Sequence, residues 1–338
     1  MKFQSIMYVP NTICIDYTIF NFVWKLKMYC ILEKIFFIVI LVWLPTFAQQ
    51  DSQFTQYMYN TININPAYAG SRDVLSVFGL HRNQWVGLDG APVTNTFAIH
   101  SPLRNENLGL GLSFINDRIG PSDENSISID FSYSIPVSLN YKLAFGIKAT
   151  GNFLNVDFTK LNIYNPGDAL AQYNIDNKFS PNVGAGLYYY SDNTYFGLSV
   201  PNFLETKHFD KGQGTFSQNS VAAERMHYYF IMGRVFEISP DVKFKPAFLS
   251  KIIKGSPLQM DLSANFLFYE RFTLGAAYRW DAAGSMLAGF QVSDNWFIGY
   301  AYDMETTKLA NYNSGSHEFF LRYEFNKKSD RVVNPRFF

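Results

Sequence analysis

The sequence predicts an all-β chain: a transmembrane antiparallel up-and-down β-barrel of about 14 strands, with a periplasmic N-terminal arm and a short C-terminal tail. Three observations predict it. Apolar and polar residues alternate along many short stretches, the links between those stretches alternate in length, and an aromatic-rich, charge-poor composition follows an export signal.

The clearest alternation runs from Ser126 to Ile135, where Ile127, Ile129, Phe131, Tyr133 and Ile135 interleave with Ser128, Asp130, Ser132 and Ser134. A period of two residues puts the first set on one face of a strand and the second on the other. A soluble sandwich alternates in the same way, so recurrence, connection lengths and composition decide. Aromatic residues make up 18% of the 338 residues, with 33 Phe and 22 Tyr, and charged residues only 17%. Soluble domains carry roughly 25% charge, and the imbalance suits a lipid-facing wall with aromatic girdles. A net charge of +0, from 28 basic and 28 acidic residues, offers nothing to nucleic acid. Mean hydropathy near zero excludes a polytopic helical membrane protein but not a barrel with a polar lumen.

The N-terminus reads as an export signal over residues 1–48. Lys25, Lys27 and Lys34 precede the apolar run Ile35 to Leu44, followed by Pro45 and Thr46-Phe47-Ala48. That run is too short for a membrane-spanning helix, which needs about 20 apolar residues. Cleavage is expected after Ala48, and Met28 offers an alternative start because residues 1–27 fit a signal poorly. Both cysteines, Cys14 and Cys30, fall in this leader. The mature chain therefore lacks thiols, disulfides and thiolate ligands, which suits an oxidising compartment.

Residues 49–72 show no lasting alternation and carry the turn signals Asn65-Pro66 and Ala69-Gly70, so an irregular arm is expected. Residues 73–325 hold the barrel. Strands are expected near 73–82, 93–102, 108–119, 125–136, 141–156, 182–191, 194–201, 226–236, 242–253, 258–268, 272–280, 283–292, 296–304 and 316–325. Most approach the 9 to 11 residues that a tilted membrane strand needs. Some, notably Tyr228 to Met232, are apolar on both faces.

Links after even-numbered strands are short, such as Leu103 to Asn107 and Asp192-Asn193. Those after odd-numbered strands include Asn83 to Pro92, Asp157 to Pro181, Asn202 to Arg225 and Glu305 to Gly315. Short periplasmic turns and long outer loops give this parity when both termini are periplasmic, whereas Greek-key links do not. Lys254 to Pro257 and Asp281-Ala282 are short exceptions.

A cylinder of about 14 strands, roughly 25 to 30 Å across, is wide enough to hold water or a plug. Plug material is available in the arm, in inward-folded loops and in the tail 326–338. Lys148, Lys243, Lys245, Lys251, Arg279 and Arg322 fall mainly on the polar faces. They are read as lumen polarity balanced by Asp130, Asp261 and Glu324, or as a basic pore lining. Tyr188-Tyr189-Tyr190 reads as girdle.

The chain gives no foothold for catalysis, cofactors or metal. His81, His100, His208, His227 and His317 show no ligand spacing, and His81 and His100 fall at different heights of the first hairpin. Asp117, Asp123 and Glu124 near one loop are read as solvated acids in preference to a calcium site.

Four motifs stand in order behind the leader: Gln53-Phe54 to Tyr57-Met58, Ile64-Asn65-Pro66-Ala67-Tyr68-Ala69-Gly70, Arg82-Asn83-Gln84-Trp85-Val86-Gly87 and Gly90-Ala91-Pro92-Val93-Thr94. Together with the terminal Asn334-Pro335-Arg336-Phe337-Phe338 they resemble the PorP/SprF family of outer-membrane barrels of type IX secretion and gliding systems. The resemblance implies a non-enzymatic role in secreting, delivering or anchoring surface proteins with a C-terminal sorting domain, such as gliding adhesins. It also implies periplasmic and peptidoglycan-linked partners. The alternative is a passive porin-like channel. The residues expected to bind partners are Asn65, Pro66, Tyr68, Gly70, Arg82, Gln84, Trp85, Gly87, Gly90, Pro92, Arg336, Phe337 and Phe338. Trp85 and Arg82 at a strand-to-loop junction suit a large contact, and Gly87, Gly90 and Pro92 suit a tight loop. Trp85 equally suits an interfacial girdle.

Overall fold

The computed structural model describes residues 53–161, 174–205 and 225–325. The expected leader, its cleavage point, both cysteines and the tail with Arg336, Phe337 and Phe338 lie outside the described residues.

Fifteen strands follow one another: β1 (Leu75–Asn83), β2 (Val93–Pro102), β3 (Leu108–Ile119), β4 (Ser122–Pro136), β5 (Lys142–Val156), β6 (Ile175–Tyr190), β7 (Thr194–Val200), β8 (His227–Arg234), β9 (Phe236–Ser239), β10 (Val242–Ile253), β11 (Gln259–Phe268), β12 (Phe272–Arg279), β13 (Ala283–Gln291), β14 (Trp296–Glu305) and β15 (Ser316–Phe325). Both β8 and β9 pair antiparallel with β10, so they are two parts of one stave interrupted at Val235. The staves number 14, each antiparallel to its neighbours. Pairing of β1 with β15, from Leu75↔Phe325 to Asn83↔His317, closes the sheet. Closure leaves no unpaired edge in lipid, where an unmet backbone group is costly.

The alternation has the expected polarity. On β4, Ile127, Ile129, Phe131, Tyr133 and Ile135 face outward, while Ser128, Asp130, Ser132 and Ser134 are buried in the lumen. Outward aromatics gather at both ends. Phe236, Tyr269, Phe272 and Trp296 lie at the end with the short turns, and Tyr228, Tyr278 and Trp280 at the other. Two such girdles fit the two interfaces of a bilayer. The strand ends that lead into the long connections 84–92, 157–174, 201–226 and 306–315 all lie at the second end, which is therefore the outer one. A short link of residues 120–121, turning at Gly120 with φ 54°, joins β3 to β4 there as well, because β4 starts at Ser122 and not at residue 125.

The lumen is packed. Every residue from Phe54 to Arg72 is buried, and this arm includes one α-helical turn, α1 (Thr61–Ile64), and a 3-10 turn over Pro66–Tyr68. The arm, expected on the periplasmic side and also as material for a plug, runs the height of the barrel. Gln53 exchanges hydrogen bonds of 2.6 and 2.9 Å with Gln259 at the outer end, and Arg72 pairs with Glu324 at the periplasmic end. Its Phe54, Tyr57, Met58, Tyr59, Ile62 and Ile64 carry too much apolar surface to leave in water. The wall answers with inward apolar side chains, among them Tyr229 and Ile231 on β8, Leu249 on β10 and Phe320 on β15. Strands apolar on both faces are those that meet lipid outside and the arm inside.

Tyr188-Tyr189-Tyr190 does not form a girdle as a unit. Tyr188 and Tyr190 turn into the lumen, where Tyr188 meets Tyr68 edge-on at 5.5 Å. Only Tyr189 faces outward, stacked on Tyr141 at 4.9 Å. The period of two forces this split.

Candidate functional site

The arm is held at three heights. At the top, Arg82 on β1 is 1% exposed; its Nη2 donates to Asp303 Oδ2 at 2.7 Å and its Nη1 to Glu318 Oε2 at 2.9 Å. Nη1 also donates to Thr55 Oγ1 at 3.0 Å, and Thr55 Oγ1 donates to Asp303 Oδ2 at 2.6 Å. Glu318 accepts from the backbone N–H groups of Thr55 (3.0 Å) and Gln56 (2.8 Å). The network thus satisfies backbone donors that would otherwise be buried unmet, and one arginine offsets two carboxylates.

At mid-height, Lys148 Nζ on β5 donates to the carbonyls of Ile62 and Asn63, both at 3.3 Å, with Asp130 at 3.4 Å. Asn65 Nδ2 donates to Leu187 O at 2.9 Å while its Oδ1 caps the 3-10 turn by accepting from Ala67 N at 3.0 Å. Ser199 Oγ donates to Ile64 O at 2.8 Å. Tyr59 stacks on Phe320 at 4.8 Å, with Lys245 Nζ at 5.2 Å from its ring centroid.

Lower down, wall glycines let the arm backbone touch the sheet. A methyl at Gly109 would overlap Ala69 O, one at Gly146 the Ala67 backbone, and one at Gly186 the Asn65 side chain. Gly70, at φ 73°, donates its N–H to His100 Nδ1 at 3.2 Å, and Ser132 Oγ donates to Ala69 O at 2.6 Å. The Asn65-to-Gly70 motif is therefore a fitted lumen segment.

The expected partner-binding residues divide into two groups. Asn65, Pro66, Tyr68, Gly70 and Arg82 are buried inside the barrel, among wall and arm residues. Gln84, Trp85, Gly87, Gly90 and Pro92 form the outer loop between β1 and β2, with Gly87 and Gly90 exposed at φ 96° and 75° and Pro92 buried at the loop's base. Gln84 N donates to Pro92 O at 2.9 Å across the base of the loop. Trp85 is half-buried; its Nε1 donates to Glu305 Oε1 at 2.7 Å and its N–H to Ser316 Oγ at 3.1 Å. Arg82 and Trp85 thus lie on either side of one rim, the first bracing the plug and the second pinning the loop to β14 and β15.

Four of the six expected lumen cations meet carboxylates, whereas Lys245 and Lys251 lie over the rings of Tyr59 and Tyr229. Asp261 accepts from Arg279 at 2.9 Å, Asp130 faces Lys148, and Glu324 lies 3.5 Å from Arg322. Lys243 instead meets Glu270 at 2.8 Å near the periplasmic rim. Ser76 faces His100 and His81 faces Asn95, so the two histidines sit at different heights. Asp117 and Asp123 are engaged by Thr94 at 2.6 Å and Asn116 at 2.7 Å. Among the described residues, no three His, Cys, Asp or Glu side chains gather as a metal site.

A closed antiparallel sheet with an apolar outer face, two aromatic girdles and an arm-filled lumen defines an integral outer-membrane β-barrel protein. Residues 46–323 match the family described as type IX secretion system membrane protein PorP/SprF, and the chain belongs to that family. No curated protein sequence matches it. Among solved structures it is similar to outer membrane protein Omp33 of Acinetobacter baumannii, at 8% identity and TM-score 0.43, over 75% of this chain and 98% of that one. It is also similar to the CymD monoaromatic hydrocarbon channel, at 13% identity and TM-score 0.45, over 82% and 94% of the two chains. The KdgM porin aligns at 9% identity and TM-score 0.36, over 74% and 99%.

Proposed function

We propose that this barrel is a non-enzymatic scaffold of the type IX secretion system that helps secrete, deliver or anchor cell-surface proteins bearing a C-terminal sorting domain, gliding adhesins among them. The observation that carries the reading is the filled lumen. Residues 54 to 72 occupy the interior and are bonded to the wall at three heights, which supports a binding role over a passive porin-like channel. Family membership supplies the secretion context. In this reading the outer rim receives the passenger at the loop shaped by Gln84, Trp85, Gly87, Gly90 and Pro92. Arg336, Phe337 and Phe338 engage periplasmic or peptidoglycan-linked components. Asn65, Pro66, Tyr68, Gly70 and Arg82 act indirectly, by keeping the arm in place beneath that rim.

The test is surface proteomics of a strain lacking this gene. Loss of one or a few large sorting-domain proteins from the cell surface, restored by the gene in trans, is expected. An unchanged surface proteome contradicts the scaffold role.

A further inference from the structure

The apolar belt on the outside of the barrel is not equally tall on every strand. On β4 its outward residues run from Ile127 to Ile135, and on β12 from Phe272 to Tyr278. On β1 the outward run is Leu75, Val77 and Gly79, between Asp73 and His81; on β2 it is Phe97 and Ile99, between Asn95 and Ser101. With strands tilted by about 40°, these runs climb about 20 Å on β4, about 10 Å on β1 and about 5 Å on β2. A membrane barrel normally carries a belt of about 25 Å. The face of β1 and β2 is therefore too short to match lipid.

The groups that cut this belt short point outward. His81 and Asn95 oppose each other in the ladder, both exposed, with His81 Nδ1 2.8 Å from Asn95 Oδ1. Asn95 Nδ2 donates to Asn116 Oδ1 on β3 at 3.2 Å. Nδ1 is engaged by Asn95, which leaves the imidazole Nε2 for a group outside the barrel, and acyl chains offer none. Toward the periplasm, the next outward pair is Gly79 and Phe97. Phe97 is 46% exposed, whereas among the described residues a methyl built on Gly79 would meet no atom within 4 Å. A glycine inside a strand weakens it and often marks the close approach of another chain. A knob and a notch thus lie side by side, beneath a hydrogen-bonding pair.

We propose that the outward face of β1 and β2 is the contact between two copies of this barrel. A two-fold axis along the membrane normal holds every residue at its own depth in the second copy, so Phe97 of each copy enters the Gly79 notch of the other. His81 and Asn95 then meet their own kind. An amide both donates and accepts, so this pair is self-complementary, and hydrogen bonds across the contact replace exposure to lipid. A lipid coat leaves the short belt unmatched, and an unrelated barrel presenting an aromatic girdle at this depth leaves the polar pair unmet. The contact lies outside the lumen and stands apart from the secretion role.

The test is photo-cross-linking in living cells of the full-length protein, with benzoylphenylalanine in place of Ile99 on β2 or, as a control, of Met232 on β8, halfway around the barrel. Position 99 is expected to give a product of twice the monomer mass that contains this chain alone, and position 232 none. Adding Gly79→Phe should cut that product about tenfold, because overpacking a filled notch weakens association by that order, while heat-modifiable migration shows that the barrel has assembled. Adding Ala276→Phe, the same bulk on the outer face of β12, should leave the yield unchanged. Should Gly79→Phe fail to assemble, His81→Leu with Asn95→Leu, which lengthens the apolar belt, is expected to abolish the product in its place. No product from position 99, a product with a different protein, an equal product from position 232, or a yield indifferent to these substitutions overturns the proposal.

Discussion

Arg82 and Glu318 face each other across the seam that closes the barrel, with Nη1 donating to Oε2 at 2.9 Å, and the same carboxylate accepts from the backbone of the arm at Thr55 and Gln56. Barrel closure and plug docking therefore share one ion pair. Removing Arg82 leaves Glu318 and Asp303 buried without their ion-pair partner, and breaking a buried pair from one side costs about 3 to 5 kcal/mol. Arg82→Met is expected to lower the temperature at which the barrel loses its heat-modifiable migration. Adding Asp303→Asn and Glu318→Gln should recover most of the loss, because no isolated charge then remains. An unchanged transition in the single variant would show that the pair carries no such weight.

Gly146 touches the arm where a methyl would overlap Ala67. Gly146→Val keeps the strand competent to pair but pushes the arm off its seat. The barrel should assemble, the arm should become sensitive to protease, and ion conductance should appear in planar bilayers. An arm as resistant as in the unaltered protein would contradict the fitted-plug account.

Phe131 and Asp130 are neighbours on β4 that face lipid and lumen, with exposures of 37% and 0%. A basic side chain on the lipid face costs about 2 to 4 kcal/mol near the bilayer midplane and little near the interfaces. Phe131→Arg is expected to reduce the yield of heat-modifiable barrel in the outer membrane, whereas Leu88→Arg in the outer loop should not. Equal yields for the two variants would reverse the assigned orientation of the strand.

Trp85 anchors its loop through Nε1 to Glu305 at 2.7 Å. Losing a single neutral-to-charged hydrogen bond at a half-exposed rim changes stability by about 1 to 2 kcal/mol. Trp85→Ala should therefore leave the assembled barrel in the membrane while reducing surface display of the passenger protein. Normal display in cells making this variant would remove the rim loop from the passenger-binding surface.

The barrel wall was legible from sequence because lipid imposes a period of two on every stave. Expected and observed bounds coincide at Val93–Pro102, Leu108–Ile119, Val242–Ile253 and Ser316–Phe325. Two strand ends differ for a local reason. Residues 175–181 of β6 and 122–124 of β4 carry few apolar side chains, since they continue the ladder beyond the strong apolar alternation. The interior was less legible. Arg82 meets Asp303 and Glu318 from 221 and 236 residues away in sequence, and no local pattern announces that convergence. The arm's own composition held a signal, since Phe54, Tyr57, Met58, Tyr59, Ile62 and Ile64 are too apolar for a solvated segment. Tyr229, Ile231 and Leu249 break the alternation on the inner face because they meet that arm and not water.

The most direct measurement of the account is the ionic conductance of the purified, unmodified full-length protein in planar bilayers. A lumen occupied by its own arm predicts silent membranes at moderate voltage. A steady, ohmic current, as from an open barrel of about 14 strands, would contradict the plug and restore the channel reading.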